Sequence, residues 1–219
     1  KDKDPNLDAR YNHLILLAKN NDGYKNLAKL VSLGYTEGFY YKPRIDKEAL
    51  EQYHENLICC SACLAGEVNQ AILKNNMEEA KKVALWFKKL FGEDYYLEIQ
   101  NNGIKEQVLV NQKLIELSRE LDIPLVATND AHYLKREDAY NHEVLLCIQT
   151  GKKMSDEDRM KFETDELYVK SPEEMSDYFK NVPEAIENTV KIAEKCNVEF
   201  EFGHTILPNY DVPEEFETH

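Results

Sequence analysis

The chain has 219 residues, of which 42% are apolar, enough for one large domain or two small domains with a buried core. No run of roughly 18 apolar residues is present, which excludes a membrane-spanning helix. A net charge of −14 disfavours direct binding to nucleic acid, because that binding depends on Lys and Arg neutralising phosphates.

The cysteines indicate a reducing compartment. Their number is odd and the charged N-terminus lacks the apolar stretch of a secretion signal, so we expect reduced thiols in a cytoplasm. Cys60 and Cys63 have C-x-x-C spacing, but no second ligand pair follows at a spacing suited to structural zinc. The five cysteines are Cys59, Cys60, Cys63, Cys147 and Cys196.

Short apolar runs alternate with helical patterns over residues 1–151. Strands are predicted at 13–18, 56–62, 95–100 and 123–128. Helices are predicted at 23–34, 46–54, 65–76, 77–92, 104–122 and 135–151. This alternation indicates βαβ units, hence an α/β fold with a parallel sheet or barrel, although four strands are too few to close a barrel.

The pattern changes after residue 151. A charged loop is followed by two helices, the first with Ser171 as its N-cap and Pro172 at its first position. Residues 204–219 are interrupted by proline and are predicted to be an extended linker. We therefore divide the chain into parts at 1–151, 152–203 and 204–219.

Polar side chains follow the predicted strands. Asp130 and His132 come after the last strand, Cys63 comes after the second, and Glu98 lies within the third. In parallel α/β folds ligands bind at the carboxyl ends of the strands. Carboxylate, imidazole and thiolate together suit zinc or manganese.

Each of these residues also has a simpler interpretation. Asp130 and His132 are typical of a loop cap, and Cys63 beside two other cysteines is typical of a small buried side chain. Glu98 has equal chances of facing water in an alternating strand. His13 begins a strand rather than ending one, so the strand-end rule does not support it as a ligand.

The segment GFYYKPRID, residues 38–46, is rich in aromatic and basic side chains. Arg44 could face a phosphate as a bidentate donor. The segment could equally be a rigid turn with aromatic packing. Both interpretations remain open from the residues alone.

Several blocks occur in an order and spacing that resemble one known family. The chain resembles the PHP domain of the alpha subunit of bacterial DNA polymerase III over nearly its whole length. The blocks are HLILLAKNNDGYKNLAKLVS, GFYYKPRID, SACLAGEV, YYLEIQNNG, VATNDAHYL, HEVLLCIQTGKKMSD, LYVKSPEEM and PEAIENTVKIAEKCNVEFEFG.

The resemblance implies a PHP fold, a distorted seven-stranded (β/α) barrel related to the TIM barrel. Position by position, His13, Cys63, Asp130 and His132 match ligands of its divalent metal cluster, with Asp130 and His132 at the catalytic centre. An H-x-H motif and three further ligands of the family would precede Lys1. We therefore expect the chain to hold the later part of the domain, with an incomplete zinc or manganese cluster.

The resemblance also implies an activity and its partners. Some family members are metal-dependent 3′–5′ exonucleases, whereas in others the domain is a scaffold or docks a proofreading exonuclease. The carboxylates for polymerisation would belong to a palm domain beyond residue 219, and DNA would be reached through the full-length protein. We expect a bacterial cytoplasmic location, no membrane partner, and no activity from this chain alone.

Overall fold

Four strands and eight α-helices make up the part of the chain that this computed structural model describes, residues 11–205, 207, 210–211 and 213. The strands are β1 (Ile15–Ala18), β2 (Leu57–Cys60), β3 (Tyr95–Gln100) and β4 (Leu125–Thr128). The helices are α1 (Asn21–Thr36), α2 (Lys47–Tyr53), α3 (Glu67–Leu73), α4 (Met77–Phe91), α5 (Lys105–Leu121), α6 (Ala139–Thr150), α7 (Pro172–Tyr178) and α8 (Pro183–Lys195). Every predicted strand and helix is present, with ends shifted by a few residues.

The strands form one sheet in the order β1-β2-β3-β4. β2, β3 and β4 are parallel, as the alternation predicts. β1 is antiparallel to β2, with Ile15 opposite Cys60 and Ala18 opposite Leu57, so the expectation of a wholly parallel sheet is wrong.

Two consecutive helices cause this reversal. α1 begins directly after β1. Lys19 N donates to Asn56 O at 2.9 Å and Gly23 packs on Asn56, so this junction lies beside the residue that precedes β2. α2 then brings the chain back to the same point, so β2 starts beside the end of β1. A single crossover helix would have carried the chain to the opposite edge and made the pair parallel.

Side-chain caps and left-handed residues fix several helix ends. Asp46 is the N-cap of α2 and accepts from Ala49 N at 2.9 Å. Ser171 and Glu174 form a reciprocal capping box at the start of α7. Gly92 and Gly151 end α4 and α6 with φ of 59° and 66°, angles that favour glycine.

The sheet carries apolar side chains on both faces. On one face Cys59, Tyr95, Leu97 and Leu125 pack against α3, α4 and α5. On the other face Ile192 of α8 packs among the alternate strand residues Ile58, Cys60, Tyr96 and Val126. All six residues of β3 are buried because it lies between two strands and two helical layers.

The C-terminal helices belong to the same packed unit as the sheet. Asn188 of α8 donates to the carbonyl of Leu125 in β4 at 2.8 Å. The predicted linker at 204–219 lies largely outside the described residues. No helix in the described part is long and apolar enough to cross a membrane.

Candidate metal and catalytic site

Four sequence-predicted ligands lie at one edge of the sheet. The carboxyl ends of β2 and β4 lead into Cys63 and Asp130, and these strands run parallel to β3. Because β1 is antiparallel, its first residues reach this same edge, where His13 N donates to Ala65 O at 3.0 Å. The reversal of β1 therefore brings His13 to the carboxyl edge, although it precedes its strand.

His13 and Cys63 are in direct contact. His13 Nδ1 lies 3.3 Å from Cys63 Sγ. Gly66 makes the tight turn behind this thiol possible, because a Cβ there would lie 2.0 Å from the carbonyl oxygen of Ser61. The turn is thus shaped by close backbone packing that holds Cys63 towards His13.

The surroundings of the Cys63 thiol favour its protonated form. Partial burial raises its pKa, the negative charges of Asp130 and Glu98 raise it further, and hydrogen bonding to the Ala65 backbone only partly offsets them. Asp130 and Cys63 are therefore close enough to interact electrostatically. A bound cation would reverse this balance and favour the thiolate.

Asp130 and His132 occupy a tight turn after β4. Asp130 has φ of 50°, and His132 Nδ1 lies 2.7 Å from the Asp130 backbone carbonyl. A carbonyl only accepts, so Nδ1 carries the hydrogen and Nε2 is left free to accept a proton or a metal ion. Among the residues described, the Asp130 carboxylate accepts no hydrogen bond, unlike the loop-cap carboxylate of the simpler interpretation.

Glu98 is buried, with 6% of its surface exposed, so the water-facing alternative is wrong. Its carboxylate accepts from Ala62 N at 3.1 Å, from Gln100 Nε2 at 3.0 Å, and from the hydroxyl of Thr128. These contacts tie the end of β2 to the end of β4 across β3. Glu98 therefore positions the segments that carry Cys63 and Asp130.

The net effect of its surroundings is to raise the pKa of the Glu98 carboxyl. Desolvation raises its pKa, and the charge of Asp130 adds to this effect. Hydrogen bonds from Thr128 and Gln100 lower the pKa but do not outweigh burial. The protonated form of Glu98 is accordingly favoured to a higher pH than in an exposed glutamate.

An aromatic wall beside His132 is not predicted by the sequence. The ring of His132 lies 5.5 Å from the ring of His142 and 5.1 Å from that of Phe162, measured between centroids. Burial, and then the electrostatic interaction with His132, lowers the pKa of His142. No local signal marks either residue, because His142 lies in a helix and Phe162 in a charged loop.

The donor atoms suit zinc or manganese in type, but the described residues do not complete a site. Within them, no group of three or more His, Cys, Asp and Glu side chains is close enough to hold a metal ion. His13 and Cys63 form a contacting pair, with Asp130 near enough to act on the thiol. The described residues alone therefore do not form a metal site.

Arg44, the remaining candidate, lies apart from this pair in the segment after α1. Its guanidinium carbon lies 5.1 Å from the centroid of the Tyr40 ring. The aromatic packing of the rigid-turn interpretation is present. The phosphate-facing interpretation is compatible with the same geometry.

Comparison with known proteins shows which proteins the chain resembles. Residues 2–102 match the family model of the PHP domain. The chain is 58% identical over 207 residues to the DNA polymerase III subunit alpha of Borreliella burgdorferi, covering 94% of the chain and 18% of that protein. It is 49% identical to the same subunit of Campylobacter jejuni and 44% identical to that of Thermus aquaticus, with coverage of 93% and 95% of the chain and 18% of each relative.

The chain thus spans less than a fifth of the length of these relatives. The similarity extends well beyond the matched domain, through the turn with Asp130 and His132 and into α8. The chain is thus similar to the PHP domain at residues 2–102 and, over nearly its whole length, to a segment of bacterial DNA polymerase III alpha subunits.

Proposed function

We propose that this chain is the PHP module of a bacterial DNA polymerase III alpha subunit and contributes to metal-dependent 3′–5′ hydrolysis of DNA. The protein would work in DNA replication in the cytoplasm. The identity of 58% over 207 residues to a DNA polymerase III subunit alpha supports this choice of parent protein. The observation that carries the hydrolytic site is the contact between His13 and Cys63 at the edge where Asp130 presents a carboxylate that accepts no hydrogen bond from the described residues.

The same proposal accounts for the open sheet. The four strands would be part of a distorted seven-stranded barrel, closed by strands from elsewhere in the parent protein. Residues 1–151 would form the later part of that barrel and 152–203 its helical C-terminal part. Residues 204–219 would lead towards the polymerase palm, the domain that carries nucleotidyl transfer.

The residues of this chain would have distinct roles at the site. His13, Cys63, Asp130 and His132 would hold a divalent ion, zinc or manganese, together with ligands from outside this chain. A bound ion would supply charge neutralisation at the phosphodiester and a nucleophilic hydroxide. His132 would present Nε2, fixed by the Nδ1 hydrogen bond, and Glu98 would hold the Cys63 and Asp130 segments in register.

Hydrolysis by full-length protein tests this function. Asp130→Asn should lower the rate of metal-dependent 3′–5′ hydrolysis at least about a hundredfold while DNA synthesis changes little, since it removes a charged ligand. Asp122→Asn is the matched control, because Asp122 has nearly the same backbone angle, φ of 51°, at the opposite end of β4. Unchanged hydrolysis in Asp130→Asn, measured without any separate proofreading subunit, would contradict the proposal.

A structural and docking role is the alternative. It is favoured by the lack of a metal-holding group among the described residues and by the buried hydrogen bonds of Glu98, which join the ends of three strands. In that case the module would stabilise the palm or dock a proofreading exonuclease, without hydrolysis. A chelator that lowers the melting temperature of the full-length protein, with no hydrolysis in any metal, would favour this role.

A further inference from the structure

The loop at residues 38–46, between α1 and α2, lies at the same edge of the sheet as the candidate site. Lys42 Nζ lies 5.5 Å from the ring centroid of Tyr11, two residues before His13. Lys47, just after the loop, forms an ion pair of 2.8 Å with Glu67, which directly follows the Cys63 turn. The loop therefore lies beside the segment that leads into His13, and α2, which follows the loop, contacts the helix that follows the Cys63 turn.

The two cations of this loop lack carboxylate partners in the part of the chain that the structure describes. Within residues 11–205, neither Lys42 nor Arg44 forms an ion pair, whereas Lys47 does. The Nε atom of Arg44 is buried and has no hydrogen-bond partner there. In a chain with 41 acidic and 27 basic residues, two neighbouring cations with no acidic partner in that range are available to an anion.

Aromatic side chains surround these cations. Tyr41 is 78% exposed, and Phe39 and Tyr11 are about half exposed. Cations interleaved with exposed aromatic rings are the surface that single-stranded nucleic acid requires, because phosphates pair with the cations and bases stack on the rings. A phosphate ester without bases would not use the exposed rings.

The loop is rigid enough to present these groups in one arrangement. Tyr40 N donates to Lys42 O at 3.1 Å, and Tyr41 has φ of 59°, a strained angle for a bulky residue. Gly38 packs so closely on Arg44 that a Cβ would lie 1.9 Å from its carbonyl oxygen. The rigid-turn interpretation explains this backbone, but it does not explain the available cations or the exposed rings.

We propose that this loop binds the single DNA strand whose 3′ end enters the candidate site. Lys42 and Arg44 contact backbone phosphates, and Tyr41 and Phe39 stack on bases. This assignment rests on the proposed hydrolytic function, for which it supplies the substrate path. It also gives an acidic chain a local pair of cations, Lys42 and Arg44, that a polyanionic strand could contact.

Kinetics of full-length protein on a 5′-labelled single-stranded oligothymidylate test the loop. Lys42→Ala and Arg44→Gln should each raise KM roughly fivefold to tenfold with kcat little changed, and Tyr41→Ala should raise it similarly. Each substitution that removes a cation from a phosphate should reduce the slope of log(kcat/KM) against log[salt] by about 0.7. Lys25→Ala is the control, because it removes one exposed lysine at the opposite end of the sheet.

Photocrosslinking separates this inference from the hydrolytic proposal. An oligothymidylate with a photoreactive base near its 3′ end, held with the protein in chelator, should crosslink to residues 38–46 whether or not hydrolysis occurs. If the loop is crosslinked but Asp130→Asn does not change hydrolysis, the DNA-binding assignment of the loop is supported and the hydrolytic proposal is contradicted. If crosslinks miss the loop and Lys42→Ala behaves like Lys25→Ala, the loop assignment is wrong.

Discussion

Glu98 illustrates how the surroundings of one residue decide its role. It lies in the central strand and receives three hydrogen bonds from groups on β3, on β4 and just after β2. Removing a buried acceptor leaves its donors without partners, each at a cost of about 1–3 kcal/mol. Its contribution is therefore to the geometry of the site edge rather than to contact with substrate.

Replacing Glu98 should loosen the centre of the sheet. We expect Glu98→Ala to reduce the local opening free energy of β3 by about 3 kcal/mol, because Ala62 N, Gln100 and Thr128 lose their acceptor. Hydrogen exchange of β3 peptides, followed by mass spectrometry in full-length protein, measures this change. Exchange equal to wild type would show that the hydrogen bonds contribute no stability.

The protonation of Glu98 gives a pH signature. Burial raises its folded pKa above the unfolded value, so its stabilising effect is complete below the unfolded pKa and is lost as pH rises through the folded pKa. Glu98→Gln does not titrate and so does not show this loss. The stability of wild type relative to Glu98→Gln should therefore decrease from acid towards neutral pH in the same exchange measurement, and an increase would contradict the assigned sign.

At the scale of elements, a carboxylate ties α8 to the sheet. Asp94 accepts from Lys19 at 2.6 Å, next to β1, and from Lys195 at 2.8 Å, at the end of α8. Burial alone would raise the pKa of Asp94, but the hydrogen bonds and charges of the two lysines outweigh it and lower the pKa. These contacts join residues that are far apart in the chain.

Replacing Asp94 should free the end of α8. Asp94→Asn should lower the protection of α8 by about 1–2 kcal/mol at neutral pH, since both lysines lose a charged acceptor. A lowered pKa means that this stability is lost as pH falls through the folded pKa, so wild type and variant should converge in acid. Asp177→Asn, which removes an exposed carboxylate paired at 3.6 Å on α7, should have little effect at any pH.

The elements themselves are largely predictable from the sequence, whereas the direction of β1 is not given by its own residues. Apolar runs bounded by turns predict the four strands, and the two helices predicted at 23–34 and 46–54 contain the reason for the reversal. The start of an antiparallel strand lies at the carboxyl edge of its neighbours, so the reversal extends the strand-end rule to His13. In a wholly parallel sheet the start of β1 would lie at the other edge, and only the family resemblance would support His13 as a ligand.

Two features of the site edge could not be predicted from local sequence. The alternating pattern in β3 leaves the exposure of Glu98 undecided, because a central strand buries both faces and an edge strand only one. The neighbours of His132, which are His142 and Phe162, come from segments with no pattern linking them to the strand. Both features depend on tertiary packing.

At the scale of the whole molecule, the proposed site depends on parts that lie outside the described residues. The chain spans 18% of each of the relatives compared, and within its described residues no group of three or more His, Cys, Asp and Glu side chains could hold a metal ion. Its excess of acidic residues leaves the loop at 38–46 as the local positive surface proposed for DNA. We therefore expect the proposed site to function only together with ligands from outside the described residues.

Metal content is the most direct measure of the central assignment, that His13, Cys63, Asp130 and His132 share one metal centre. Full-length protein, purified without chelator and dialysed, should retain zinc or manganese by elemental mass spectrometry. Asp130→Asn and Cys63→Ser should each lose most of that metal, while Asp122→Asn keeps it. Equal metal content in all four proteins, or none in the wild type after metal addition, would contradict the assignment.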